Sequence, residues 1–279
     1  MNTVVHININ LDINTVCYQG LPYSYSECAA KSLFNDKNLV YKETFEDVFK
    51  DVWEGMADTG VVPVENSTAG YVNEVYDLLL KYDLYVNRSY IKKVDHCLAA
   101  IKDTCIDNIK EVHSHPQALI QCKEYIKTHG FQVKNELNTA VAAKKIYDLN
   151  MRTAACICSK EAAENYSLKI LDDNINPKQN YTKFAAISRN LVTNENHNRI
   201  SIVFSVSHEA GTLNNVLSIF TGYNVNLSSI YSRPDLKSPW KYLFYLEFEG
   251  NLLSEDVKNI INQLNEQLTF VKILGSFQA

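Results

Sequence analysis

Val61-Val62-Pro63-Val64-Glu65-Asn66-Ser67-Thr68-Ala69-Gly70 passes from an apolar run, preceded by Gly60, into a cluster of small polar side chains. Beyond Gly70, Val72, Val75, Tyr76 and Leu79 fall at i, i+3, i+4 and i+7, the spacing of one apolar helix face. A short strand, a polar turn and an amphipathic helix make one repeat of an α/β chain. The same succession recurs along the first two thirds of the sequence. Thr15 to Tyr18, Cys97 to Ile101, Lys110 to His113, Arg152 to Cys156 and Phe184 to Ile187 read as further strands with helices between them. That order predicts an α/β sandwich with mostly parallel strands.

The predicted helix starts carry capping chemistry. Ser24 with Glu27, and Ser114 with Gln117, have the spacing of a capping box, and Pro116 suits the first turn. His115 beside it reads as a packing or surface group. Asn66-Ser67-Thr68 and Asn138-Thr139 place hydroxyls and amides where a strand gives way to a helix. One such position need only cap its helix. Several at the carboxyl ends of strands can bind a small anion through open backbone N–H groups, without the many arginines that this chain, with five, lacks.

At about 150 residues per domain, 279 residues correspond to about two domains, and 46% apolar with 21% charged is globular composition. The 27 basic and 32 acidic residues give a net charge of −5, so nucleic acid and anionic membrane surfaces are not expected partners. No uncharged apolar run approaches the roughly 18 residues of a membrane span, and no Lys or Arg precedes Lys31, so a cytoplasmic soluble protein is expected. The seven cysteines contain no CxxC pair and read as reduced, mostly buried thiols, with Cys156 and Cys158 in an apolar run. Trp53 and Trp240 belong to no constellation. No metal cluster, phosphate loop or Ser-His-Asp set is present in the pattern, so no metal and no cofactor are expected.

From Asn190 to Asn198 the sequence is polar and turn-rich, the composition of a linker. After it come an alternating strand (Ile200, Ile202, Phe204, Val206), a helix after Gly211 facing Leu213, Val216, Leu217 and Phe220, and strands at Val225 to Ile230 and Tyr242 to Phe248. Ser254 opens a helix facing Val257, Ile260, Ile261, Leu264 and Leu268, and Phe270 to Leu274 closes the order βαββαβ, the ferredoxin-like split motif.

These residues resemble the prephenate dehydratase family with a C-terminal ACT regulatory domain. Gly20-Leu21-Pro22-Tyr23-Ser24-Tyr25-Ser26 through Ala29-Ala30 is similar to the family's opening pattern. Gly60 through Ser67, followed by Gly70 and Asp77, is close to its most specific signature. Ser114-His115-Pro116-Gln117-Ala118-Leu119 and Asn180-Tyr181-Thr182-Lys183-Phe184 match two more, in register. The resemblance implies a two-lobed catalytic domain over residues 1–190, like a type II periplasmic binding protein, with a second lobe at about 92–172, and a ferredoxin-like ACT domain over 199–279.

The reaction so implied is the decarboxylative dehydration of prephenate to phenylpyruvate, CO2 and water, a lyase step in phenylalanine biosynthesis. By motif match, Thr182 would donate to the leaving hydroxyl, with Lys183 and Glu65 as further catalytic candidates. Ser24, Asn66, Ser67, Thr68, Gly70, Ser114, Gln117, Asn138, Thr139, Asn180 and Phe184 would meet the substrate. L-phenylalanine would act as effector near Gly211, Thr212, Leu213, Asn226, Leu227, Ser232 and Arg233, in a homodimer or homotetramer joined through ACT domains.

The sequence departs from the family pattern where Lys183 replaces an arginine, Tyr23 a glycine and Val75 a threonine, and where Thr212 and Tyr231 stand for alanine and glutamate. A lysine keeps the charge and loses the bidentate fork. Arogenate as preferred substrate and a non-catalytic amino-acid sensor stay open beside the main reading.

Overall fold

The computed structural model describes residues 5–7, 12–235 and 242–279; Trp240 lies outside them. In chain order the elements begin with β1 (Val5–Ile7), β2 (Thr15–Gln19), α1 (Tyr25–Leu33), β3 (Asn38–Lys42), α2 (Phe45–Glu54), β4 (Thr59–Asn66), β5 (Gly70–Tyr71) and α3 (Asn73–Lys81). Next come β6 (Tyr85–Lys93), β7 (Cys97–Ala100), β8 (Glu111–Ser114), α4 (Pro116–Gln121), α5 (Lys123–His129), β9 (Gln132–Asn135), α6 (Thr139–Asp148), β10 (Ala154–Cys158), α7 (Lys160–Asn165), β11 (Lys169–Asp172) and β12 (Tyr181–Ser188). The chain closes with β13 (Leu191–Thr193), β14 (Arg199–Ser205), α8 (Thr212–Gly222), β15 (Leu227–Pro234), β16 (Tyr242–Glu249), α9 (Glu255–Gln267) and β17 (Phe270–Phe277). These fall into two compact units.

One unit comprises Ile13–Leu78 and Tyr90–Ala185 and holds two sheets. The first runs β12-β4-β2-β3, with β2 parallel to both β3 and β4. Val16, Cys17 and Tyr18 of β2 are buried, as a parallel strand covered on both faces requires. Its covering helix α2 starts with a capping box between Thr44 and Asp47 and ends on Gly55 in the left-handed region. Gly70 turns β4 back on β5 at φ +79°, a conformation that favours glycine.

The second sheet runs β11-β7-β10-β8-β9, with β10 parallel to β8 and antiparallel to β7. All of Ala154-Ala155-Cys156-Ile157-Cys158 is buried, and its alternate residues feed two different cores. The Cys156 and Cys158 thiols lie 3.6 Å apart within one of them, both free, so the pair is core packing as its apolar setting suggested. The strand starts at Ala154 rather than Arg152 because Arg152 and Thr153 form the preceding turn, where the Lys110 N–H donates to the Thr153 carbonyl.

The other unit comprises Leu79–Ser89 and Ala186–Ala279 with β1. Its sheet runs β15-β16-β14-β17, antiparallel throughout, and α8 and α9 pack their apolar faces on it through Val216, Phe220, Val257, Ile260 and Leu264. This is the βαββαβ order that the alternation after residue 199 predicts. The third element starts at Leu227 rather than Val225, because the Val225 N–H still donates to Phe220 at the end of α8.

The stretch read as a linker is instead built in. Leu191 and Thr193 are fully buried, and Leu191–Thr193 pairs in parallel with β1. Asn87 donates to Ser188 and to the Asn190 carbonyl (2.7 Å) and accepts from the Val192 N–H (2.9 Å), so its amide clamps that segment from three sides. Asn87→Ala leaves the buried Val192 N–H without its partner and takes one of two donors from the Asn190 carbonyl, which the Ser188 hydroxyl still reaches at 3.3 Å. It is expected to cost about 2 kcal/mol, read as a lower urea midpoint with unchanged slope. Where β17 crosses β6, Gly275 meets Val86 so closely that a Cβ would stand 2.3 Å from the Val86 carbonyl oxygen. Among the described residues no helix is long and apolar enough to cross a membrane.

Candidate active site

A cavity of about 480 Å³ opens in the two-sheet unit, lined by parts of both sheets' helices and turns. From the first sheet come Gly20, Ser24 and Tyr25 at the start of α1, Pro63, Asn66 and Gly70 around the end of β4, and Thr182 and Phe184 of β12. From the second come His115, Gln117 and Gln121 of the α4 region and Leu137, Asn138 and Thr139 at the start of α6. The volume lies within the range of small-molecule sites.

Each lining side chain is placed by local chemistry. Ser24 caps α1, its Oγ accepting from the Glu27 N–H at 3.3 Å. The capping box is incomplete: the Glu27 carboxylate accepts instead from the N–H of Tyr23, one residue earlier, at 2.7 Å. Tyr23, standing where the family pattern has glycine, adopts φ +69°, the region that glycine enters without strain. Gly20, at φ +102°, lets the chain pass so close that a Cβ would sit 3.3 Å from Ser24 Oγ. Asn138 caps α6 through the Val141 N–H at 2.8 Å.

The expected capping role of Ser114 is corrected. His115 is the N-cap of α4, its Nδ1 accepting from the Gln117 N–H at 3.2 Å, and Pro116 is the first helical residue. Ser114 is fully buried and donates to the Ile157 carbonyl at 2.6 Å, away from the cavity. A side chain at the end of a strand that is buried between neighbouring strands finds a backbone carbonyl before it finds a helix.

Asn66, Asn180, Thr182 and Gln121 form one network. Asn66 Oδ1 accepts from the N–H groups of Thr68 and Ala69, each at 3.0 Å, and from the Thr68 hydroxyl at 2.7 Å. Asn66 Nδ2 donates to Asn180 Oδ1 and to Thr182 Oγ1, both at 2.9 Å. Gln121 Nε2 donates to Thr68 Oγ1 at 2.8 Å, and Asn180 Nδ2 donates to Gln121 Oε1 at 3.0 Å. Because Thr182 Oγ1 accepts from Asn66, its own proton is left to point elsewhere. Among the described residues no acceptor takes it.

Ser24, Asn66, Gly70, Gln117, Asn138, Thr139, Thr182 and Phe184 of the sequence-derived set line the cavity. Asn180, fully buried, and Thr68 stand behind it as partners of Asn66. Ser67 ties the turn to β12, its hydroxyl donating to the Gln179 carbonyl and accepting from the Tyr181 N–H.

Glu65 and Lys183 do not line the cavity. Thr182 and Phe184 face it, and the two-residue period of a strand turns Lys183 the other way. None of the lining residues is Lys, Arg, Asp or Glu. His96 and Gln121 also line the cavity without belonging to any motif match, and Tyr25 enters only as part of the opening pattern. Gln121 lies four residues after Gln117 and so shares its helix face, which is a readable signal. His96 and Tyr25 meet across 71 residues with no local pattern to announce them.

The effector candidates lie in the other unit. Gly211 caps α8 in the left-handed region, and the Thr212 hydroxyl donates to the Ser207 and Glu209 carbonyls at 2.9 and 3.0 Å, closing the loop on itself. Leu213 packs on the core, and the Asn226 carbonyl accepts from the Glu249 N–H. Leu227 opens β15, and Ser232 and Arg233 lie toward its end, opposite Phe244 and Leu243.

A family model described as prephenate dehydratase matches residues 16–192. The prephenate dehydratase of Methanocaldococcus jannaschii is 37% identical over 261 residues, covering 91% of this chain and 94% of that protein. Arogenate dehydratase/prephenate dehydratase 2, chloroplastic, of Arabidopsis thaliana is 35% identical over 275 residues, covering 94% of this chain and 72% of its own length. The crystal structure of prephenate dehydratase in complex with L-Phe from Arthrobacter aurescens superposes with a TM-score of 0.86 at 24% identity, covering 95% of this chain and 90% of that one. The two-sheet α/β arrangement is thus that of a prephenate dehydratase structure. The matched homologues are lyases of the hydro-lyase class. A match across residues 16–192, with an archaeal relative aligned over almost its whole length, places the chain in the prephenate dehydratase family.

Proposed function

We propose that this chain converts prephenate to phenylpyruvate. The observation that carries the reading is the 2.9 Å donation from Asn66 Nδ2 to Thr182 Oγ1, which leaves the threonine proton free for a group in the cavity. In the reaction the ring hydroxyl departs with its bonding pair and takes up a proton from solvent to become water, while the C–C pair of the ring carboxylate moves into the ring as CO2 leaves. A hydrogen bond from Thr182 to the departing oxygen stabilises the charge that develops there. The departing carboxylate must keep its electron pair mobile, and a cavity lined without Lys or Arg does not neutralise it. Its amides, hydroxyls and the first turns of α1 and α6 supply dipoles for a dianion instead.

The same lining bears on the choice of substrate. Arogenate carries an ammonium group where prephenate carries a keto oxygen, and no carboxylate lines the cavity to receive it. Prephenate is therefore the better fit. Its kcat/KM is expected to exceed that of arogenate by roughly tenfold or more, the scale of one mismatched polar contact. Phenylpyruvate formed at neutral pH from each substrate, against an enzyme-free blank, measures this. A higher value for arogenate reverses the assignment, and no turnover of either favours the sensor.

The unit containing residues 199–279 would act as an ACT domain that binds L-phenylalanine and lowers turnover. The ferredoxin-like order and the loop closed by Thr212 before α8 support that reading. So does the L-Phe complex of the Arthrobacter aurescens relative. β15 is an edge strand, which suits pairing with a second copy.

A further inference from the structure

The hydrogen bonds behind Thr182 determine where a proton must sit on His96. A backbone N–H can only donate, and two of them, on Thr68 and Ala69, reach Asn66 Oδ1. The amide of Asn66 is thereby fixed, with Nδ2 toward Asn180 and Thr182. Asn180 must turn its oxygen to Asn66, so its Nδ2 faces Gln121, and Gln121 must turn its oxygen to Asn180. That same Oε1 lies 3.0 Å from His96 Nε2. An amide oxygen only accepts, so Nε2 carries a hydrogen.

The other ring nitrogen, Nδ1, lies 3.2 Å from the Tyr25 hydroxyl, which also reaches the Asp95 carbonyl at 2.7 Å. His96 is 3% exposed, and burial holds its pKa down to about 4 against a smaller raising pull from Gln121 and Asp95, with His115 lowering it further. The ring is neutral near pH 7 and carries its one hydrogen on Nε2, so Nδ1 is bare beside the Tyr25 oxygen, whose own proton goes to the Asp95 carbonyl. Moving the proton to Nδ1 would require Gln121 and then Asn180 to turn over. Two amide NH2 groups would then face each other across the 2.9 Å now spanned by a hydrogen bond between Asn66 and Asn180.

We propose that His96 is a positioning residue for the dehydration: its Nε2–H holds the amide of Gln121, and through it that of Asn180, in the orientation that the backbone-fixed Asn66 demands, and so steadies the Asn66 Nδ2 group that leaves the Thr182 hydroxyl proton to the cavity. This rests on the prephenate reading above and names a residue outside the cavity's motif matches. His96 acts through three amides and is held in turn by its own backbone N–H, which donates to Asn176 Oδ1 at 2.6 Å.

The test compares His96→Met, which fills the space without a donor, with His96→Gln, whose Nε2 can place an N–H near the imidazole position. In the full-length enzyme His96→Met is expected to lower kcat roughly 10- to 100-fold with KM little changed, and His96→Gln to recover most of it. Placed on Thr182→Val, His96→Met should add almost nothing, because its route to the chemistry is already cut. Nitrogen NMR of histidine-labelled wild-type enzyme should show His96 with a protonated Nε2 and a bare Nδ1.

A glutamine variant as poor as the methionine one, equal losses in both backgrounds, or an Nδ1–H signal in an active enzyme overturns the positioning role. If wild-type enzyme turns over neither prephenate nor arogenate, the functional reading fails and takes the positioning role with it.

Discussion

Thr182→Val is expected to lower kcat on prephenate by roughly 100- to 1000-fold, the loss seen when one donor to developing negative charge is removed. Valine keeps the shape and the β-branch that suits β12, so the strand should survive. The network behind it should survive too: Asn66 Nδ2 still donates to Asn180 Oδ1 and to the Tyr181 carbonyl after Thr182 Oγ1 has gone. Melting temperature should move little while turnover collapses. Thr182→Ser retains the hydroxyl and should keep most of the activity, losing some to a less restricted rotamer. Steady-state kinetics of the pair, with thermal melts of both, decide the matter. Unchanged turnover in the valine variant removes Thr182 from the mechanism and with it the argument from Asn66.

Gly275→Ala is expected to be the most destabilising single methyl that can be added to the C-terminal unit. Its Cβ would stand 2.3 Å from the Val86 carbonyl oxygen and 2.7 Å from Val86 Cβ. Neither atom is the end of a flexible side chain, so β17 and β6 must separate or one of them must bend. Overpacking of this kind costs about 3 kcal/mol, and for a chain of this size that lowers Tm by roughly 6–12 °C. Ser276, next along and buried, hydrogen-bonds His197 Nδ1 at 3.1 Å and lies 3.2 Å from the Thr193 hydroxyl, so the shift would propagate into the segment that Asn87 clamps. A melt within 2 °C of wild type would mean that the crossing is looser than its contacts indicate.

Much of this was readable from the sequence. The helix at 73–81 declared itself through Val75, Tyr76 and Leu79, which are buried as their spacing requires. The C-terminal unit declared itself through alternation in Ile200, Ile202 and Phe204. Thr182 and Asn66 lie in two separate motif matches, and the fold brings them into hydrogen-bonding distance across 116 residues. Other features resisted for physical reasons. A polar composition at 190–198 signals a loop, yet Leu191 and Thr193 are held inside by an asparagine a hundred residues earlier. Ser114 has the spacing of a cap, yet tertiary burial gives it a nearer carbonyl. Lys183 bears the charge that attracts attention, yet strand alternation turns it from the cavity that Thr182 and Phe184 share. His96 has no sequence neighbour that explains it; its role exists only once Tyr25, Gln121 and Asn180 have been folded around it.

The placement of β12 beside β4 has a consequence for the newborn chain. β4 ends at Asn66, and its neighbour begins only at Tyr181, after the whole second sheet has been made. At the 5–20 residues per second of synthesis, the ribosome takes about 6–23 s to supply those intervening residues. Throughout that interval β4 presents an open edge of unpaired N–H and carbonyl groups, the kind of surface that recruits other strands. The strand that finally covers the edge is the one that carries Thr182. A nascent chain stalled before that point would lack the Thr182 hydroxyl and be most prone to aggregate at the same moment, so the completed cavity wall and protection from misassembly arrive together.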